Sequence, residues 1–164
     1  MVDERVAVVA PNAGGSITTG CHRVGNKTRR IKDKMNSGNA YWFHPNLIPF
    51  GDRETWLPFD LHFIKAAVAP RAWFNANGLS DKLNVEGSMV TWRAAREVYD
   101  WLGVKERCAQ WYREGSHDQG AQDWKALADF ADFIFFEKPL PDSKAFYQEP
   151  WPDIPLHYSW KAPR

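Results

Sequence analysis

The sequence predicts an α/β fold, a mostly parallel sheet flanked by helices, and three observations carry that prediction. Short β-branched or aromatic runs alternate with longer stretches whose apolar residues recur at helical spacing. Each strand-like run is followed by a loop and then a helix-like run, so crossovers join successive strands, as parallel pairing requires. The chain also has enough apolar material for a packed core: 164 residues, 44% hydrophobic and 15% aromatic, with nine tryptophans. That length suits one domain or a large piece of one.

The first strand is the β-branched run "ERVAVVA" (Glu4–Ala10), closed by Pro11 and expected to be buried. The loop "NAGGSITTG" follows, then an irregular stretch from Cys21 to Phe50 with helical turns. In "LPFDLHFIKAAVAP", Asp60 is placed to cap a helix with Leu61, Ile64, Ala67 and Val68 on one face, and Pro70 stops it. "RAWFNAN" (Arg71–Asn77) is the second strand. The third helix covers roughly Ser88–Leu102, with Ala94, Ala95, Val98 and Leu102 inward and Gly103 as terminator. "RCAQWYRE" is the third strand. The last helix spans roughly Gln122–Phe136, with Trp124, Leu127, Ala128, Ala131, Ile134 and Phe135 at helical spacing. Residues 1–138 form the folded part, and 139–164 a proline-rich tail expected to wrap the surface.

Several function classes are set aside by composition. A net charge of +1 gives no global field toward nucleic acid or anionic membrane. The basic run "NKTRRIKDK" (Asn26–Lys34) has no interleaved aromatics for base stacking. Cys21 and Cys108 are too few for a disulfide scaffold, and no C-x-x-C or H-E-x-x-H occurs, so no metal or cofactor is expected. No apolar run reaches the about 18 residues of a membrane span, and no signal peptide opens the chain.

In open parallel sheets, function sits at the carboxyl ends of the strands. Three loops qualify: "PNAGGS", "NGLSDKLNVEG" and "EGSHDQG". Two carry titratable groups, Asp81 after one strand and His117 after the next. Acid then histidine, each after a strand, is the α/β-hydrolase order, in which histidine deprotonates a serine and the acid fixes the histidine's tautomer. Each residue also has a plainer reading. A lone loop histidine can be a polar surface residue, and Asp81 can hold a turn.

An ordered series of segments resembles the C-terminal half of the glucuronoyl esterase family of carbohydrate esterases. The segments are "DERVAVVAPNAGG", "YWF" (Tyr41–Phe43), "LPFDLHFIKAAVAPR" (Leu57–Arg71), "REVYDWLG" (Arg96–Gly103) and "GSHDQGAQDW" (Gly115–Trp124). The resemblance implies a serine hydrolase of α/β-hydrolase fold that cleaves esters between lignin alcohols and glucuronic acid on xylan, with His117 as the base. Such a protein needs no cofactor. Its expected partner is a carbohydrate ester rather than nucleic acid or membrane, and a full-length member is expected to be secreted or periplasmic. Xylan deacetylation by the same triad, or a truncated module that only binds carbohydrate, remain open alternatives.

The departures from that family are specific. Its members carry the serine on an elbow, G-x-S-x-x-G-K, ahead of the strand that opens this sequence, and neither that motif nor G-x-S-x-G occurs. Ser16 and Ser116 are hydroxyls without an elbow. The chain therefore reads as a fragment, expected to need its N-terminal half or to self-associate. Many members place the acid after the first strand, where this chain has Asn12, Ala13 and Gly14. Others use the loop that here holds Asp81, with Glu86 as the substitute. Lys82 stands where some members have a tryptophan lining the uronate site. Trp42 reads as a sugar-stacking wall or equally as a core aromatic.

Overall fold

The computed structural model of the protein describes residues 3–14, 19–24, 31–36, 40–156, 158 and 161–163. Among them, three strands form one parallel sheet in the order β1 (Val8–Val9), β2 (Ala72–Gly78) and β3 (Cys108–Arg113). Val8 pairs with Ala72, and the β2–β3 ladder runs from Trp73 with Cys108 to Gly78 with Arg113. The helices are α1 (Ile31–Asn36), α2 (His62–Ala66), α3 (Val85–Trp101) and α4 (Ala121–Phe136). Short 3-10 turns cover Ala40–Trp42, Pro45–Phe50, Glu54–Trp56, Lys105–Arg107 and Ser143–Phe146. This is the α/β architecture that the sequence predicts.

The central strand explains the core. β2 is buried at every position, so both its faces must be covered. Side chains alternate across a strand, and they divide here between two clusters. Ala72, Phe74 and Ala76 pack with Ala126 and Phe130 of α4 and with Phe146. Trp73 packs on the opposite side with Val68, Trp92, Tyr99 and Cys108. Burying an aromatic such as Phe130 completely contributes about 1.5–3 kcal/mol, so α4 is held chiefly by its contact with this sheet.

The face covered by α2 and α3 also holds polar groups. Lys65 is fully buried, donates from Nζ to the Ser88 carbonyl at 3.0 Å, and lies 5.5 Å from the Trp73 ring centre. Asn75 donates to Ser88 Oγ, and Ser88 Oγ donates to Thr19. Removing an ammonium from water disfavours its charged form, and burial pushes Lys65 down to about 7.

The structure corrects several sequence expectations. The first strand is only Val8–Val9 and half-buried rather than a buried run over Glu4–Ala10. Asp60 does not cap α2 with its side chain. It is fully buried and accepts hydrogen bonds from the backbone of His22 and Leu61 and from the Cys21 thiol, tying the segment before α1 to the core. Ile64 and Leu102 are exposed, because α2 has a single turn and α3 ends before Leu102. α3 begins earlier than its apolar pattern, at Val85, because Asn84 accepts from Gly87 N and opens it.

α4 is rotated relative to its expected face. The buried positions are Asp123, Ala126 and Phe130, while Trp124 and Phe135 point outward. A buried charge pair through Asp123, described below, fixes that rotation, and an apolar count cannot register it. The tail is also more than a surface wrap, since Phe146 joins the core and Trp151 meets Tyr112 edge-on at 5.8 Å. No helix among the described residues is long and apolar enough to cross a membrane.

Candidate active site

The carboxyl ends of the strands bring three loops together. β2 ends at Gly78, and the turn after it is stitched to the end of β3. Leu79 N donates to the Arg113 carbonyl at 2.8 Å, and Ser80 N to the Gly115 carbonyl at 2.9 Å. Asp81 N then returns to the Gly78 carbonyl at 3.1 Å, which closes the turn. The approach is so close that a Cβ on Gly78 would lie 2.4 Å from the Ser116 carbonyl oxygen. From the third loop, Asn12 bridges to Ala76 and donates from Nδ2 to the Asp118 carbonyl at 3.0 Å.

This stitching sets the acid against the histidine. Asp81 is buried, and its Oδ1 accepts from Leu83 N at 2.9 Å. Its Oδ2 lies 3.0 Å from Nδ1 of His117. The Asp81 side chain is 1% exposed and that of His117 is 61% exposed. A carboxylate is an acceptor only, so the contact places the ring proton on Nδ1. Nε2 is left as the basic nitrogen, without a hydrogen-bond partner among the described residues. A base poised toward solvent with its tautomer fixed from behind can take a proton from a nucleophile.

The backbone around His117 has its own anchor. Arg113, the last residue of β3, is buried. Its Nε meets both Asp123 oxygens at 2.9 Å. Its Nη1 donates to the Glu114 carbonyl at 3.0 Å, and its Nη2 to the Ser116 carbonyl at 3.4 Å, to the Asp118 carbonyl and to Asp118 Oδ1 at 3.0 Å. Asp123 Oδ2 accepts from Gly120 N at 2.7 Å. Gly115 takes a φ of +106°, which favours glycine, and a Cβ there would sit 2.8 Å from Arg113 Nη1. Burial alone would lower the Arg113 pKa, but the bonds and charges of Asp123 and Asp118 outweigh it and hold the guanidinium's pKa above its ordinary value.

The other expected site residues are placed as follows. Asp81, rather than Glu86, meets His117. Glu86 lies half-buried in the first turn of α3. Lys82 is exposed next to Asp81. Trp42 is 53% exposed and edge-on to Tyr41 at 5.9 Å, which makes it a surface aromatic and not a core one. Ser116 is an exposed loop residue, and Ser16 lies outside the described residues. Cys21 and Cys108 are both free and buried. Among the described residues no group of three or more His, Cys, Asp or Glu side chains could hold a metal ion. Arg113, Asp123 and Gly78 escaped the sequence reading, and Asn12 enters it only as standing where many family members carry the acid. The available signal was a charged pair, Arg113 and Asp123, bracketing a glycine-flanked loop.

A parallel sheet with an acid after one strand and a histidine after the next defines the α/β-hydrolase class, and the solved relatives are of that class. A family model described as glucuronyl esterase of fungi matches residues 1–103, and the chain belongs to that family. A carbohydrate esterase family 15 glucuronoyl esterase from Caldicellulosiruptor kristjansonii superposes with a TM-score of 0.86 at 29% identity, covering 99% of this chain and 45% of that one. The carbohydrate esterase MZ0003, from an unknown prokaryotic organism, is 29% identical over 149 residues, 80% of this chain and 34% of that protein. The 4-O-methyl-glucuronoyl methylesterase of Podospora anserina is 25% identical over 122 residues, 71% of this chain and 23% of that protein. The chain thus spans less than half the length of these relatives.

Proposed function

We propose that the chain is the base-bearing part of a serine carboxylic-ester hydrolase that cleaves glucuronate esters of plant cell-wall polysaccharide. The observation that carries this reading is the Asp81–His117 contact of 3.0 Å at the carboxyl ends of adjacent parallel strands. Family membership and the names of the relatives support the substrate class.

In this mechanism a serine outside these 164 residues supplies the nucleophile. Its Oγ bonds to the ester carbonyl carbon as its proton passes to His117 Nε2. Collapse breaks the bond to the alcohol oxygen, which takes the proton from Nε2 and leaves. Water then attacks the acyl-serine, giving a proton to Nε2, and the serine departs with that proton. Throughout, Asp81 accepts the hydrogen bond from His117 Nδ1–H, which keeps that proton on the ring, and stabilises the transient imidazolium. Trp42 and Lys82 belong to the surface that receives the sugar: a tryptophan face stacks on a pyranose, and an ammonium can pair with the product carboxylate.

The test is release of methanol from methyl 4-O-methylglucuronate, and of acetate from acetylated xylan, by the full-length protein. Methanol release abolished by His117→Ala is the expected result. Acetate release alone would overturn the substrate class, and release of neither would overturn the esterase reading.

A further inference from the structure

We infer that Arg113 is a positioning residue for His117, acting through the loop backbone and without touching the imidazole. This rests on the esterase reading above. His117 is more than half exposed, and Asp81 is its single hydrogen-bond partner among the described residues. The ring therefore relies on where the loop holds its Cα. That loop is gathered on one guanidinium. Arg113 donates to the carbonyls of Glu114, Ser116 and Asp118, which fall at alternate positions on both sides of His117. The guanidinium is itself fixed from behind by Asp123, and Asp123 also holds Gly120 N at the far end of the loop.

A guanidinium is a rigid planar fork with five donors, and a lysine ammonium cannot reproduce that spread. Arg113→Lys preserves the positive charge beside Asp123 but cannot span three carbonyls and a carboxylate. Misplacing a catalytic group by about 1 Å costs on the order of 10²-fold in rate. A loosened loop also separates His117 from Asp81 for part of the time, so the ring proton is held on Nδ1 less often.

The experiment compares Arg113→Lys, Asp118→Ala and His117→Ala with the wild type in the full-length protein, using methyl 4-O-methylglucuronate. Asp118→Ala removes only one exposed carboxylate from the cluster and keeps the variant series informative should Arg113→Lys fold poorly. For Arg113→Lys we expect kcat about 10²-fold lower per folded molecule with KM within about threefold. Asp118→Ala should lower kcat the same way by less, again with KM nearly unchanged. A KM that rises in step with the loss of kcat, or a kcat loss fully accounted for by the unfolded fraction, would overturn the inference and leave Arg113 merely structural. Full turnover in His117→Ala would instead sink the esterase reading itself, so the two failures are told apart.

Discussion

Gly78 at the end of β2 and Ser116 in the histidine loop are in such close contact that one methyl group cannot fit between them. A Cβ on Gly78 would lie 2.4 Å from the Ser116 carbonyl oxygen and 2.6 Å from that of Gly115. Both obstacles are backbone, so neither can swing aside. Gly78→Ala must then push the loop of His117 away from the turn of Asp81. We expect a destabilisation of about 1–3 kcal/mol, read by chemical denaturation. Ester turnover should fall in the molecules that remain folded. A variant with wild-type stability and turnover would show that the two loops are not pinned there.

His117 is the proposed base, and its side chain is 61% exposed. Its replacement by alanine removes little packing. Turnover should fall by about 10³-fold or more, since general base catalysis and serine activation are lost together. The melting temperature should stay close to that of the wild type.

Asp81 separates a turn-holding role from a chemical one. In Asp81→Asn the remaining oxygen can still accept from Leu83 N, so the loss of stability should be about 1 kcal/mol or less. The new amide presents a donor to His117 Nδ1 and favours the tautomer with its proton on Nε2. In serine triads that exchange costs about 10⁴-fold in kcat. A steep loss of activity with a small shift in melting is the expected pattern. Retained activity would leave Asp81 with the turn alone.

Lys65 gives the fold a pH dependence of calculable sign. Its pKa falls from the ordinary 10.5 to about 7 on burial. Between these values the unfolded chain binds more protons than the folded one, so stability rises with pH. The slope from one such group is at most about 1.4 kcal/mol per pH unit. Burial pushes Cys21 and Cys108 up from 9.0 to about 12, so above pH 9 they act in the opposite direction. Denaturant unfolding should therefore show stability climbing from pH 7, levelling near pH 9 where the two cysteines offset the one lysine, and falling beyond. Lys65→Met should remove the climb without orphaning the Ser88 carbonyl, which lies inside α3 and takes the helix's own backbone bond. An undiminished climb in the variant would assign it to other groups.

The parts legible in the sequence were those written in local pattern. β2, β3, α3 and α4 each carry a contiguous apolar signal, and Asp81 and His117 follow their strands in a recognisable order. The misread parts depend on partners distant in the chain. Asp60 looked like a helix cap because capping is local, yet it bonds to His22, 38 residues upstream. Arg113 looked like the polar end of a strand, because nothing in a strand pattern marks a buried ion pair with Asp123. The rotation of α4 was missed for the same reason: a charged residue faces inward and a tryptophan outward.

The dyad straddles the boundary between protein and water, its carboxylate inside and its imidazole outside. An attraction between charges weakens as the surrounding dielectric rises, so bulk water over His117 keeps the coupling of the two groups low while nothing is bound. A sugar ester laid across the ring would expel that water and strengthen the coupling without moving an atom of the protein. The arriving molecule would thus strengthen the pairing behind the base that deprotonates its attacker.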